Sequence, residues 1–268
     1  MHGEKPTEDE RAMSLETPDT AERPERPVSP LRWLADTYEQ TQRLRIQLSN
    51  RIGAVQREAD AGPVPRSASQ SLLLIGQAER ALTRDMEEAL AGHPAMAWLG
   101  QVKGIGPVLA TKILAHVEID RAPTISALWR FAGYAVIDGA RERPVKGGGP
   151  LHYCIRLKTA CYLVCTSFVK LGARSPYREV YDHGRAVYLE TRPDWTKGHQ
   201  HLAAMRRTTK LFLSHLHTTW RHAVGLPIRE PYAMEYLGHT HWLDPWKFIG
   251  GAEAEPEYEG ADNGQRMA

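Results

Sequence analysis

The sequence predicts a mainly α fold: an antiparallel, coiled-coil-like helical hairpin, then a helical domain containing a helix-hairpin-helix, between two disordered acidic tails. Three observations carry this prediction. Apolar residues recur at helical spacing through 31–60 and again through 67–91. A Gly-Ile-Gly-Pro turn at 104–107 joins two short apolar helical segments. The two ends, 1–30 and 251–268, hold too little apolar surface to offset the entropy of ordering.

Taken in order, the first helix of the hairpin is marked by Leu31, Leu34, Tyr38, Leu44, Leu48, Ile52 and Val55, and Gly62-Pro63-Val64-Pro65 ends it. Leu72, Ile75, Ala78, Leu82, Met86 and Leu90 mark the second helix, so 31–91 is expected to fold back on itself. A helical domain then spans 92–225, with helices expected at 94–101, 107–117, 124–132, 152–171, 175–190 and 198–224. Residues 139–150 read as a basic, Gly-rich loop. Residues 226–250 carry Pro227, Pro231, Trp242, Pro245 and Trp246, and are expected to form an irregular strap against the domain.

The net charge is only +2, which excludes a histone-like or protamine-like protein. That small value conceals a pattern. By segment the charge is −4 over 1–28, +1 over 29–140, +10 over 141–221, −1 over 222–250 and −4 over 251–268. A basic block of this size within a foldable sequence is the footprint of a polyanion partner. The alternative is a solvated face of a helical bundle. The three cysteines, Cys154, Cys161 and Cys165, are too few and too close for a disulfide framework, so a reducing compartment is expected. With no apolar signal core and no long apolar stretch, the expected location is the cytoplasm, associated with the nucleoid if DNA is the partner, and no membrane is involved.

The segment 98–114, WLGQVKGIGPVLATKIL, has the physics of a helix-hairpin-helix. Gly104 and Gly106 permit a tight hairpin. Pro107 suits the first turn of the next helix. Ala110 lets two helices approach, and Ile113 and Leu114 anchor the second in a core. Exposed N–H groups at Gly104, Ile105 and Gly106 can then hold a phosphate, with Lys103 and Lys112 adding charge. Such contacts grip the backbone and carry no base specificity. A plain helical corner with structural glycines is the alternative.

With the stretches that follow it, IDRAPTISALWRFAGY at 119–134, the Gly-rich loop and LHYCIRLKTA at 151–160, this segment resembles the C-terminal module of the IS-one-ten (IS-one-sixteen, IS-nine-oh-two) insertion-sequence transposases. The resemblance covers about 94–225, roughly half the chain. It implies a helical fold and binding of DNA or RNA in transposition or recombination. The hairpin at 31–91 takes the place of the coiled coil that precedes the module in that family. Two features depart from it. Full-length members begin with an RNase-H-like domain carrying an acidic tetrad, whereas here only a tail precedes the hairpin. The family also places a nucleophilic serine in the loop after the Ala-Gly pair, and 134–143, YAVIDGARER, holds none; Ser126 lies before it and Ser167 well after. The resemblance therefore implies binding rather than autonomous catalysis, and leaves the catalytic residues unassigned.

Beyond the hairpin, the expected nucleic-acid contacts are Arg141, Arg143, Lys146, Arg156 and Lys158 around the loop and the helix after it, and Lys197, Arg206, Arg207 and Lys210 on the last helix. That helix carries an apolar stripe of Leu202, Met205, Thr209, Phe212, Leu216 and Trp220, with Arg206, Arg207, Lys210 and Arg221 off it. Tyr188 and Trp195 offer surfaces for an exposed base. The histidine pairs 199/201 and 215/217 diverge on a helix and do not chelate. His239 and His241 share a face only if extended. Cys161 and Cys165 read as core residues. No metal site and no cofactor is expected for binding alone. Magnesium enters only in a catalytic alternative, through Glu118, Asp120, Asp138 and Glu142. Two other functions stay open: a recombinase completed by a partner domain, and a scaffold that dimerises through 31–91 and offers a basic face to an acidic protein.

Overall fold

The structure, a computed structural model, describes residues 29–57, 62–136, 142–146, 149–228 and 244–249. The fold is all-α, and no strand occurs among the described residues. Residues 1–28 and 251–268 of the predicted tails, and most of the strap, lie outside the described residues, while Ser29 and Pro30, expected in the first tail, cap and begin the first helix.

Helix α1 (Pro30–Arg57) starts where Ser29 Oγ accepts a hydrogen bond from the Arg32 amide at 3.2 Å. Helix α2 (Arg66–Leu90) runs back beside it: Arg45 pairs with Glu79, and Leu34 clusters with Leu82 and Met86. Burial in the pair is confined to one end. Leu34 and Ala35 in α1 and Leu82, Met86 and Leu90 in α2 are the residues inside. There Tyr38 and Val108 close over the cluster, which fastens the two helices to the domain.

The domain begins with the short α3 (Met96–Leu99) and α4 (Pro107–Leu114). Both are shorter than the sequence suggests. The chain turns at Gly100 and Gly104, and α4 tightens at Ala115 and His116 before a 3-10 turn at Ile119–Arg121. Thr124, Cys154 and Thr196 cap α5 (Ile125–Phe131), α6 (Ile155–Leu171) and α8 (Lys197–Ala223) with side-chain acceptors. Helix α7 (Pro176–Thr191) opens on proline, whose missing N–H costs nothing there.

Helix α8 is the axis of the domain and packs against α3, α5, α6 and α7. An aromatic core holds them together: Phe168 stacks on Tyr177 with centroids 4.5 Å apart, and Trp98 and Phe212 close around them. The described end of the strap joins this core. Trp98 Nε1 donates to the Pro245 carbonyl at 2.9 Å, and Phe248 lies against Tyr177 and His215. Cys161 and Cys165 are buried in this interior, as their apolar surroundings in the sequence suggest.

Candidate nucleic-acid interface

The hairpin at 100–107 is built by one special glycine, not two. Gly104 has φ +95°, and a Cβ there would sit 2.5 Å from Leu171 Cδ1 and 2.8 Å from Ser167 Oγ. Ser167 Oγ also donates to the Gly104 carbonyl at 2.7 Å, so α6 braces the turn. Gly106 is extended, with φ −92° and ψ 179°, and open space surrounds it, so the backbone there admits any residue. Ala110, Ile113 and Leu114 are buried as expected. Ile105 is buried too, so it can offer a ligand only its backbone.

The two lysines of this segment have different fates. Lys103 is exposed. Lys112 is buried, 3.4 Å from the Glu39 carboxylate and over the Tyr38 ring. It ties α4 to α1 and does not face solvent, which corrects its assignment as a phosphate contact. Arg156 is likewise engaged by Asp36 of α1. The physical reason is common to both: α1 carries acids, Asp36 and Glu39, where it crosses the domain, although only Lys112 is buried and Arg156 stays partly exposed.

The other basic residues converge elsewhere. Helices α6 and α8 line a cleft of about 680 Å³ together with Gly133, Tyr134, Glu142 and Arg143. Helix α6 contributes Lys158, Thr159 and Tyr162, and α8 contributes His199, Leu202, Met205, Arg206 and Thr209. These are helical spacings, so each helix turns one stripe into the cleft. Gly133 has φ +74°, and a Cβ there would meet the Tyr153 ring at 2.8 Å and Lys158 Cδ at 3.0 Å. The Ala-Gly step thus lets the chain pass close to Lys158, whose Nζ sits 4.1 Å above the Tyr153 ring. Tyr134 is buried at the cleft wall, and burial holds its hydroxyl firmly neutral.

Cations therefore ring the cleft: Arg143, Lys158 and Arg206 line it. Lys210 follows one turn after Arg206, its Nζ 4.5 Å from the Trp129 ring. Burial, then repulsion from Arg206, lowers the Lys210 pKa. That is the mark of positive charges held close in a partly dry setting. Glu142 faces the same cleft, but it accepts hydrogen bonds from the His152 amide at 2.8 Å and from His152 Nδ1 at 2.9 Å. Those bonds pull its pKa down and leave it an ionised carboxylate engaged with His152.

The remaining predicted contacts are dispersed. Lys146 is exposed on the loop. Lys197 is exposed at the first turn of α8, and its carbonyl accepts from Arg185. Arg207 turns toward Gly184 on α7, away from the cleft. Arg141 lies outside the described residues, as do Asp138, His239 and His241. Arg221, expected on a polar face, is buried: it donates to the carbonyls of Pro227, Ile119 and Ala122 at 2.8, 2.9 and 3.1 Å. Leu202, expected on the apolar stripe, is 47% exposed and lines the cleft.

The helical histidine pairs diverge. His199 stacks on Trp195 at 3.9 Å and 6°, while His201 shares a hydrogen bond with the Tyr181 hydroxyl at 2.6 Å. His215 meets Tyr177, and His217 donates to the Ala122 carbonyl. Trp195 lies between His199 and Tyr188, so its faces are already occupied. Among the described residues no three His, Cys, Asp or Glu side chains come together as a metal site. Glu118 pairs with Arg121, Asp120 is exposed, and Ser126 sits exposed on α5 outside the cleft lining. Sequence reasoning missed Thr159 and Tyr162 as cleft residues. The available signal was the spacing of Tyr162, four positions after Lys158 and three after Thr159 on one helix, which sets it beside both. No described helix is long and apolar enough to cross a membrane. Comparison with protein-family models, with curated proteins and with solved structures finds no match for this chain.

Proposed function

We propose that this chain is a DNA-binding protein of the transposase-module type. It holds the nucleic-acid backbone in DNA transposition or recombination, with the α6–α8 cleft as its main contact and the Gly104 hairpin as a second. The observation that carries the reading is the convergence of Arg143, Lys158 and Arg206 on one cleft, with Lys210 beside it. These residues come from three separated parts of the +10 segment, and nothing in local chain geometry requires them to meet. Like charges brought together raise the energy of the free protein, and a polyphosphate relieves that cost. The exposed Lys103 beside the hairpin adds a backbone contact of the same kind.

The test is a salt titration of binding to duplex DNA, single-stranded DNA and structured RNA. Affinity should fall steeply with salt, and the double variant K158E/R206E should bind about tenfold more weakly or worse at low salt, with a shallower salt slope. Absence of salt-dependent binding by the folded protein to any nucleic acid would overturn the reading.

A second feature supports self-association as part of this function. The end of the α1–α2 pair away from the domain exposes Leu44, Ile46, Leu73 and Leu74, each close to half exposed or more. An isolated pair of helices gains little stability without burying such residues. Light scattering should give a dimer that L73Q/L74Q returns to monomer; a wild-type monomer at tens of micromolar would exclude this part.

A further inference from the structure

We infer that the α6–α8 cleft receives a single unpaired nucleotide, its base inside and its phosphates on the rim. This rests on the nucleic-acid reading above and specifies the form of the ligand. A surface that only grips a duplex backbone is a shallow strip of cations and polar groups. This cleft is different in volume and in lining. Its roughly 680 Å³ lies within the size range of small-ligand pockets, whereas the phosphodiester backbone of an intact duplex can only cross its mouth. Its exposed inner surface is apolar and aromatic: Tyr162 is 48% exposed and Leu202 47% exposed, on facing helices. Residues of this kind on a solvated helical face cost free energy unless something covers them. Between them, Thr159 lines the wall.

The cleft also has a ready-made stacking plane. His199 is exposed and lines the cleft, with one face fixed against Trp195 at 3.9 Å and 6°. A flat ring held on one face by an indole presents its other face already oriented, so a base pays little to order it. The cations sit around this apolar interior, where Arg143, Lys158 and Arg206 meet the phosphates that flank the inserted base. An apolar, aromatic interior with a cationic rim matches the two halves of a nucleotide. A base paired inside a duplex does not reach such an interior; it must be single-stranded, in a bulge, or turned out of the stack.

The experiment compares four fluorescent ligands at one salt concentration: a perfect DNA duplex, the same duplex with one central unpaired deoxyadenosine, and a single-stranded oligonucleotide as DNA and as RNA. The bulged duplex should bind about tenfold more tightly than the perfect one, the scale of one stacked base. The variant T159W fills the cleft from an exposed helical position. It should abolish that preference, bringing the bulged duplex to within about twofold of the perfect one, whereas R206E should weaken both ligands. A wild type that binds bulged and perfect duplexes equally overturns this inference but leaves the DNA-binding reading standing. A T159W variant that keeps the preference overturns the placement in this cleft. Absence of binding to every ligand overturns both. Preference for RNA or DNA among the single strands assigns the sugar, and either supports the inference if unpaired ligands win.

Discussion

At Gly104 and Gly106 two identical residues, one apart, sit under different constraints. Gly104 has a positive φ and no room for a Cβ, so Gly104→Ala should lower stability by about 2 kcal/mol or more in urea unfolding. Gly106 is extended and unobstructed, and Gly106→Ala should change it by less than about 1 kcal/mol. Equal effects of the two substitutions would refute the assignment of the hairpin to Gly104. Arg221 shows the same gap between residue type and role. Removing its guanidinium leaves three carbonyls with a lost donor, so Arg221→Met should cost about 2–3 kcal/mol. Lys103→Met, at an exposed site, should stay within about 0.5 kcal/mol. Residue identity made Lys112, Arg156 and Arg221 equivalent to Arg206 as basic groups. What separates them is placement: Lys112 and Arg156 lie against acids of α1, Arg221 against carbonyls, and Arg206 in the cleft lining.

The helices were legible because their apolar spacing and capping residues are local properties. Thr124, Thr196 and the prolines Pro107 and Pro176 sit where the helices begin, and predicted and observed boundaries differ by a few residues. The helix-facing assignments were less secure. Leu202 continues the α8 stripe in sequence yet is 47% exposed and lines the cleft. The α1–α2 pair illustrates the limit of periodicity most directly. Both helices are amphipathic along their length, but packing is concentrated where they meet α4. Met86→Ala should therefore cost about 3 kcal/mol, and Leu74→Gln should be nearly neutral to the stability of one chain. Thermal unfolding of both variants at low protein concentration checks this; a large loss for Leu74→Gln would mean that the far end is packed within the chain.

For the molecule as a whole, acid is expected to destabilise the fold. Burial lowers the pKa of His93, His116 and His217 below the usual 6.5, with Arg32 and Arg156 adding to the effect at His116 and Arg221 at His217. The unfolded chain binds protons first, so this stability is full above about pH 6.5 and is lost as the pH falls through the lowered folded values. The melting temperature should be lower at pH 5.5 than at pH 7.5, and no change between them would count against neutral histidines at these three positions. Charge also acts at this scale. Segments 1–28 and 251–268 carry −4 each, so removing both should tighten nucleic-acid binding several-fold at low salt and have little effect at high salt, where the field is screened. The charge distribution, the helical elements and the all-α class were determined by the sequence alone, because counts and periodicities are additive along a chain. The tertiary structure alone decided where each cation lies. It placed Lys112 and Arg156 against acids of α1, sank Arg221 among carbonyls, and gathered Arg143, Lys158 and Arg206 around one cleft. Each of those outcomes depends on partners that are distant in sequence and adjacent only once the helices pack.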